Sequence, residues 1–208
     1  LATGNALRID YFVWTTALNA VLLGVTAWLA YQLSGRWWVG ALVAVEWHLV
    51  WAAASGMETL LFCALIMAAW AAASGDGPRP DVCGILIGLA IWTRPDGLSL
   101  LPFCAAAIWV ASNENKFKRL ALFALGAAAM VAPYFFFNIS LSGQWWPNTF
   151  FAKQAEYAIL LRLPLWWRLA QMFAAPFVGA TLLLLPALFN RKWWIQLSWV
   201  AAFLAVYA

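Results

Sequence analysis

Residues 82–111 begin Val82-Cys83-Gly84-Ile85-Leu86-Ile87-Gly88-Leu89-Ala90-Ile91-Trp92 and then meet Thr93-Arg94-Pro95-Asp96-Gly97 before apolar sequence resumes through Ala111. The reading of that interruption decides the fold. Proline disfavours helix at the residue before it, and glycine weakens helix after it. The stretch therefore predicts two short helices broken at Arg94-Pro95. At 1.5 Å per residue the halves cover about 18 and 22 Å, less than a hydrocarbon core of about 30 Å. The turn between them is expected to sit in a depression of one membrane face. The other arrangement is a single kinked span, with Arg94 at the bilayer centre at a cost of about 2.5–3.5 kcal/mol on insertion scales.

The rest of the chain has the same character. Of 208 residues, 66% are hydrophobic and 10% are charged, and the mean hydropathy is +0.81. A soluble domain carries charge at about a quarter of its positions, so a water-soluble globule and a disordered chain are both excluded. Alternation with period two, the mark of an outer-membrane barrel, is absent from the sequence. The apolar blocks predict an all-α, polytopic transmembrane helical bundle of about eight helices. They run from about 11 to 33, 37 to 54, 57 to 73, the two halves of 82–111, 120 to 141, 169 to 189, and 193 to the end. Residues 1–208 form a single transmembrane domain. With Leu1 in place of an initiator Met and Ala208 inside an apolar run, the expectation is a fragment truncated at both ends.

Sixteen tryptophans stand out, many beside bases: Arg36-Trp37-Trp38, Trp166-Trp167-Arg168 and Lys192-Trp193-Trp194. Indole next to Arg or Lys marks where a span meets the headgroups. Cys63, Cys83 and Cys104 lie in apolar blocks without metal-ligand spacing and read as core residues. The net charge of +4 is dispersed over short loops and gives no nucleic-acid signal.

Loop charge favours the break at Arg94. If the chain reverses there, Arg36, Arg79, Lys116, Lys118, Arg119, Arg191 and Lys192 share one side, seven bases against four (Arg94, Lys153, Arg162, Arg168). A single kinked span gives five against five with Arg94 buried. The positive-inside rule prefers the reversal. Three polar features then share the extracytoplasmic face: Ser55 to Thr59, Thr93 to Gly97, and the loop from Ser142 to Arg168.

Few side chains on that face can carry chemistry. Glu58 follows Ser55-Gly56 at a helix start, where a carboxylate is favoured by the helix dipole but can equally line a cleft. Arg94 and Asp96 read as a local salt bridge or as an outward guanidinium able to grip a lipid phosphate bidentately. Lys153 offers a second cation or a snorkelling interface residue, and Asn148 and Thr149 offer neutral hydrogen-bonding groups or a plain turn. Glu46 and His48, two apart on one helix, are expected not to face each other; His48 is expected to bond a neighbouring helix. No phosphate loop, His-based metal motif or nucleophile elbow is present in the sequence.

Taken in order, Ser55-Gly56-Met57-Glu58-Thr59, Gly88 to Leu98, and Pro147-Asn148-Thr149-Phe150-Phe151-Ala152-Lys153 resemble membrane glycosyltransferases of the GT-C superfamily, near glycosyltransferase family 39. That group includes protein O-mannosyltransferases and the aminoarabinose transferases that modify lipid A. The resemblance covers most of residues 10 to 155. It implies a polyprenyl-phosphate-linked sugar as donor and a lipid, glycan or protein acceptor, with transfer on the extracytoplasmic face of the cytoplasmic membrane. By the same resemblance Arg94 takes the place of a basic residue that meets the carrier's phosphate; Lys153, on the same face, is expected to add a second cation there. Glu58 takes an acidic, cavity-lining place, with Asp96, Asn148 and Thr149 as further lining candidates.

The family's proposed base is an Asp in the first extracytoplasmic loop. Asp10 does not fit that pattern, because it directly precedes what would be the family's second helix. The catalytic carboxylate is expected outside this sequence, and the fragment alone is expected to be inactive. No cofactor is implied, and a divalent metal is left open. The runner-up function is a transporter or flippase for lipid-linked precursors, whose broken helix would hold its substrate near mid-membrane; a non-catalytic scaffold is a third.

Overall fold

A computed structural model describes residues 8–74, 77–147, 150–152, 155, 158–174 and 190–207. Among them there are helices and no strands. The helices are α1 (Tyr11–Ser34), α2 (Trp37–Val45), α3 (Trp47–Ser55), α4 (Thr59–Ala73), α5 (Pro80–Thr93), α6 (Leu100–Ala111), α7 (Lys116–Ser142), α8 (Leu165–Ala174) and α9 (Trp194–Tyr207). A 3-10 turn, Pro95–Ser99, joins α5 to α6. Two helices, α1 and α7, are long and apolar enough to cross a membrane, and α2 with α3 counts as a third if the bent pair is one span. The chain is thus an all-α membrane protein in which two or three candidate spans stand among the described helices, where a transmembrane bundle of about eight helices is predicted. The reason is length: α4, α5 and the turn with α6 are apolar but shorter than a full crossing. The predicted helix over 169–189 lies mostly outside the described residues.

The break at Arg94 is present, and the chain turns back there. Cys83, near the start of α5, and Cys104, in α6, bring their thiols within hydrogen-bonding reach. A straight continuation would hold them about 30 Å apart. Gly97 rests on the backbone of Ala90 and Ile91, where a Cβ would come 2.9 Å from the Ile91 nitrogen. α7 then returns parallel to α5. Gly84 of α5 packs against Phe123 and Ala127, Gly88 against Met130, and the Trp92 indole donates to the Met130 carbonyl at 2.9 Å. A Cβ at Gly84 would lie 2.6 Å from the Ala127 nitrogen. Gly84-x-x-x-Gly88 is therefore a small-residue seam that lets two helices approach backbone to backbone, the packing that holds helices together where lipid supplies no hydrophobic drive.

Around this pair a core collects Leu100, Ile87, Ile91 and Ile108, all fully buried. Trp70 of α4 and Trp199 of α9 close it edge to face at 6.2 Å. Outward, Val21, Trp28, Leu125 and Phe136 are exposed, the apolar surface that acyl chains would cover. At one end of the bundle Arg119 of α7 donates to the Pro78 carbonyl ahead of α5 at 3.3 Å, so Arg79, Lys116, Lys118 and Arg119 gather there. At the other end Thr15 of α1 lies against Gly56, near Glu58 and the Arg94 turn. The Trp–base pairing is literal. Arg36 lies 5.7 Å over Trp38, Lys192 5.5 Å over Trp193, and Lys116 5.0 Å over Trp109.

One predicted helix is corrected. The block expected as one helix over 37–54 is two, bent by 51°. Glu46 adopts an extended backbone between them (φ −64°, ψ 121°), and one carboxylate oxygen accepts the Leu49 N–H at 3.1 Å. Because the helix stops there, Glu46 and His48 do face each other, with Oε1 2.7 Å from Nδ1. His48 thus pairs within its own segment rather than with a neighbouring helix. Trp47 covers its ring, centroids 3.9 Å apart.

Candidate functional site

The site forms where the start of α4 and the end of α5 meet the 3-10 turn, with α6, α8 and α9 supplying further wall. α5 ends at Thr93, whose hydroxyl donates to the Ala90 carbonyl at 2.7 Å. Arg94 then leaves the helix with extended backbone (φ −149°, ψ 129°). Its amide still donates to the Ala90 carbonyl at 2.8 Å, so the guanidinium is carried on a fixed helix end. The guanidinium lies 5.7 Å over the Phe62 ring of α4, and its Nε donates to Asp96 Oδ2 at 3.2 Å. Both side chains are half-buried or deeper. Pro95 opens the 3-10 turn that presents Asp96 back toward Arg94. An ion pair two residues apart is possible only because the helix has ended between its members.

Glu58 stands one helical turn before Phe62, at the N-cap of α4. Its side chain makes no capping hydrogen bond and is exposed. The dipole-favoured position is thus occupied without the carboxylate being spent on the helix it begins. Glu58, Arg94 and Asp96 line a cavity of about 1110 Å³. Apolar side chains make most of the remaining wall, among them Trp146, Phe150, Trp199 and Phe203. Trp199 is steered by its indole N–H, which donates to Ser99 Oγ at 3.0 Å. Trp146 stacks on Phe150 at 5.4 Å.

Three of the six expected site residues therefore meet in one place: Glu58, Arg94 and Asp96. Asn148, Thr149 and Lys153 lie outside the described residues, although Trp146 and Phe150 on either side of the first two are on the cavity wall. Asp10 has a different role. It caps α1, accepting the amides of Phe12 at 2.9 Å and Val13 at 3.2 Å.

Sequence reading missed Arg168, taking it for an interface anchor beside Trp166 and Trp167. The structure divides that triplet: the two indoles are exposed, whereas Arg168 lines the cavity with Gln171 and Met172. The spacing 168, 171, 172 puts the three on one face of α8, and that spacing was the available signal. Trp145 and Trp146 divide in the same way, one outward and one into the cavity. Among the described residues no three of His, Cys, Asp and Glu converge as a metal site.

Chemically, two guanidiniums and two carboxylates line one mostly apolar chamber. It can hold an amphipathic molecule whose anionic head meets arginine while its chain lies on aromatic and aliphatic wall. Comparisons of the chain with protein families, with curated proteins and with solved structures find no match.

Proposed function

We propose that the protein transfers a sugar from a polyprenyl-phosphate donor to an acceptor hydroxyl, on the extracytoplasmic face of the cytoplasmic membrane. One observation carries the reading. Glu58 and the Arg94–Asp96 pair, on separate elements, line a single chamber of about 1110 Å³ whose other walls are largely apolar. A lipid-linked sugar phosphate has the same division, charged at the head and hydrocarbon beyond it. The order of the Ser55–Thr59, Gly88–Leu98 and Pro147–Lys153 motifs, which resembles GT-C glycosyltransferases, gives the reaction class.

In the proposed reaction a carboxylate base takes the acceptor's hydroxyl proton. The acceptor oxygen bonds to the anomeric carbon from the face opposite the phosphate, and the bond from that carbon to the phosphate oxygen breaks. Configuration inverts, and polyprenyl phosphate departs with the bonding electrons. Arg94 meets the phosphate, where negative charge grows as the bond lengthens. Lys153 is proposed as a further cation there, and Glu58, Asp96, Asn148 and Thr149 as groups that orient the head.

The test is sugar transfer by the full-length protein in membranes supplied with a lipid-linked donor. Arg94→Ala is expected to lower kcat/KM by about 100-fold, the scale for losing one charge-stabilising donor. An unchanged kcat/KM overturns the assignment. A second reading, movement of lipid-linked precursors across the bilayer, draws on the 51° break at Glu46 midway along α2–α3. A flippase would move labelled lipid between leaflets of a proteoliposome and release no glycosylated product.

A further inference from the structure

Of the two cations that line the cavity among the described residues, Arg94 is the better compensated. Asp96 holds its Nε at 3.2 Å, and the Phe62 ring lies beneath it. Arg168 enters from α8, and its Nε is buried with no hydrogen-bond partner among the described residues. A buried N–H of a charged group is expensive to leave unmet. The cost of holding it there is understandable if a ligand meets it.

The surroundings define that ligand. Arg168, Gln171 and Met172 form the inward face of a short helix whose outward face carries Trp166 and Trp167. The donors from α8 are thus held by a helix anchored through its indoles, not by a free loop. Arg94 is held equally firmly on the end of α5. Two guanidiniums carried on different elements of one chamber can each donate to the oxygens of one bound anion, and guanidinium is the side chain best suited to hold a phosphate through paired N–H groups.

We propose that Arg168 is a further anion-binding residue of this cavity, so that Arg94 and Arg168 together clamp one phosphate group. The phosphate is that of a lipid headgroup. The proposal deepens the glycosyltransferase reading and rests on it for the lipid, but the two-arginine clamp can fail separately.

The experiment is ligand binding by the full-length protein in detergent, followed by native mass spectrometry with three probes: polyprenyl phosphate, the uncharged polyprenol, and inorganic phosphate. Arg168→Ala is expected to weaken polyprenyl phosphate at least tenfold and leave polyprenol unchanged, and Arg168→Lys to recover part of the loss. The lysine variant and a monodisperse elution profile separate lost binding from lost folding. If Arg94→Ala weakens polyprenyl phosphate while Arg168→Ala binds it as the parent does, the clamp is overturned and the donor reading stands. If polyprenyl phosphate and polyprenol bind alike in the parent, both fall. If inorganic phosphate binds in an Arg168-dependent way and the lipid does not, the clamp stands and the lipid donor is overturned.

Discussion

Glu46 shows how one side chain can shape a membrane segment. The sequence Trp37 to Ser55 has neither proline nor glycine at the point where its helix breaks, and most sharp kinks need one of these or an inserted group. Here the carboxylate is the inserted group. Its one oxygen satisfies the Leu49 amide and its other meets His48, while the residue itself is 8% exposed. A side-chain cap of this kind contributes about 0.5–2 kcal/mol, which offsets part of what the broken backbone bonds cost. Glu46→Ala removes the group and should let the two helices run as one. With spin labels at positions 37 and 55, pulsed dipolar spectroscopy should read a separation about 3 Å longer, from 1.5 Å rise per residue. An unchanged distance would assign the bend to packing against α1. The same residue marks where sequence reading runs out. The Arg94 break was legible because Pro95 and Gly97 act on backbone geometry whatever surrounds them. The Glu46 break was not, because a glutamate reveals itself as a cap only once its partners are in place.

Among the described helices, α5 and α7 pack backbone to backbone through Gly84 and Gly88. The Gly84-x-x-x-Gly88 spacing is visible in the sequence, but which helix lies against it depends on tertiary contacts that a single sequence does not carry. α8 shows the converse. Its Trp–Trp–Arg run looks like an anchor in one dimension, but on a helix the three residues point to different sides. The seam has a sharp consequence. A single methyl at Gly84 meets the Phe123 carbonyl and the Ala127 nitrogen, which are backbone atoms that cannot swing away. Overpacking of this kind costs about 1–3 kcal/mol. Gly24, on α1, has nothing within 4 Å of where its Cβ would stand, and there alanine gains helix propensity of up to about 1 kcal/mol. Thermal unfolding in detergent should therefore give a lower midpoint for Gly84→Ala and an equal or higher one for Gly24→Ala. Equal behaviour of the two variants would remove the seam from the account of stability.

For the whole molecule the decisive matter is the direction of each segment. The thiol contact between Cys83 and Cys104 makes α5 and α6 a hairpin, and the contacts of Gly84, Gly88 and Trp92 make α7 parallel to α5. It follows that the loop ahead of α5 and the loop between α6 and α7 lie at one end, where Arg79, Lys116, Lys118 and Arg119 collect. The Arg94 turn and the segment after α7 lie at the other, with the cavity. This is the arrangement loop charge favoured, and it puts those bases at the end of the bundle opposite the charges that line the cavity. It also makes a topology prediction that a single kinked span cannot share. In a protein whose native cysteines are replaced, Gly77→Cys and Glu114→Cys should react with a membrane-impermeant maleimide from the same side. Gln144→Cys should react only from the opposite one. A kinked span would instead put positions 77 and 114 on opposite sides, and the cavity's charges would no longer share a face. The charge rule adds the sign: positions 77 and 114 should be shielded in intact cells and position 144 open to the reagent. The reverse labelling would leave the hairpin intact but put the cavity on the cytoplasmic side, where a donor carried on the outer leaflet could not reach Arg94.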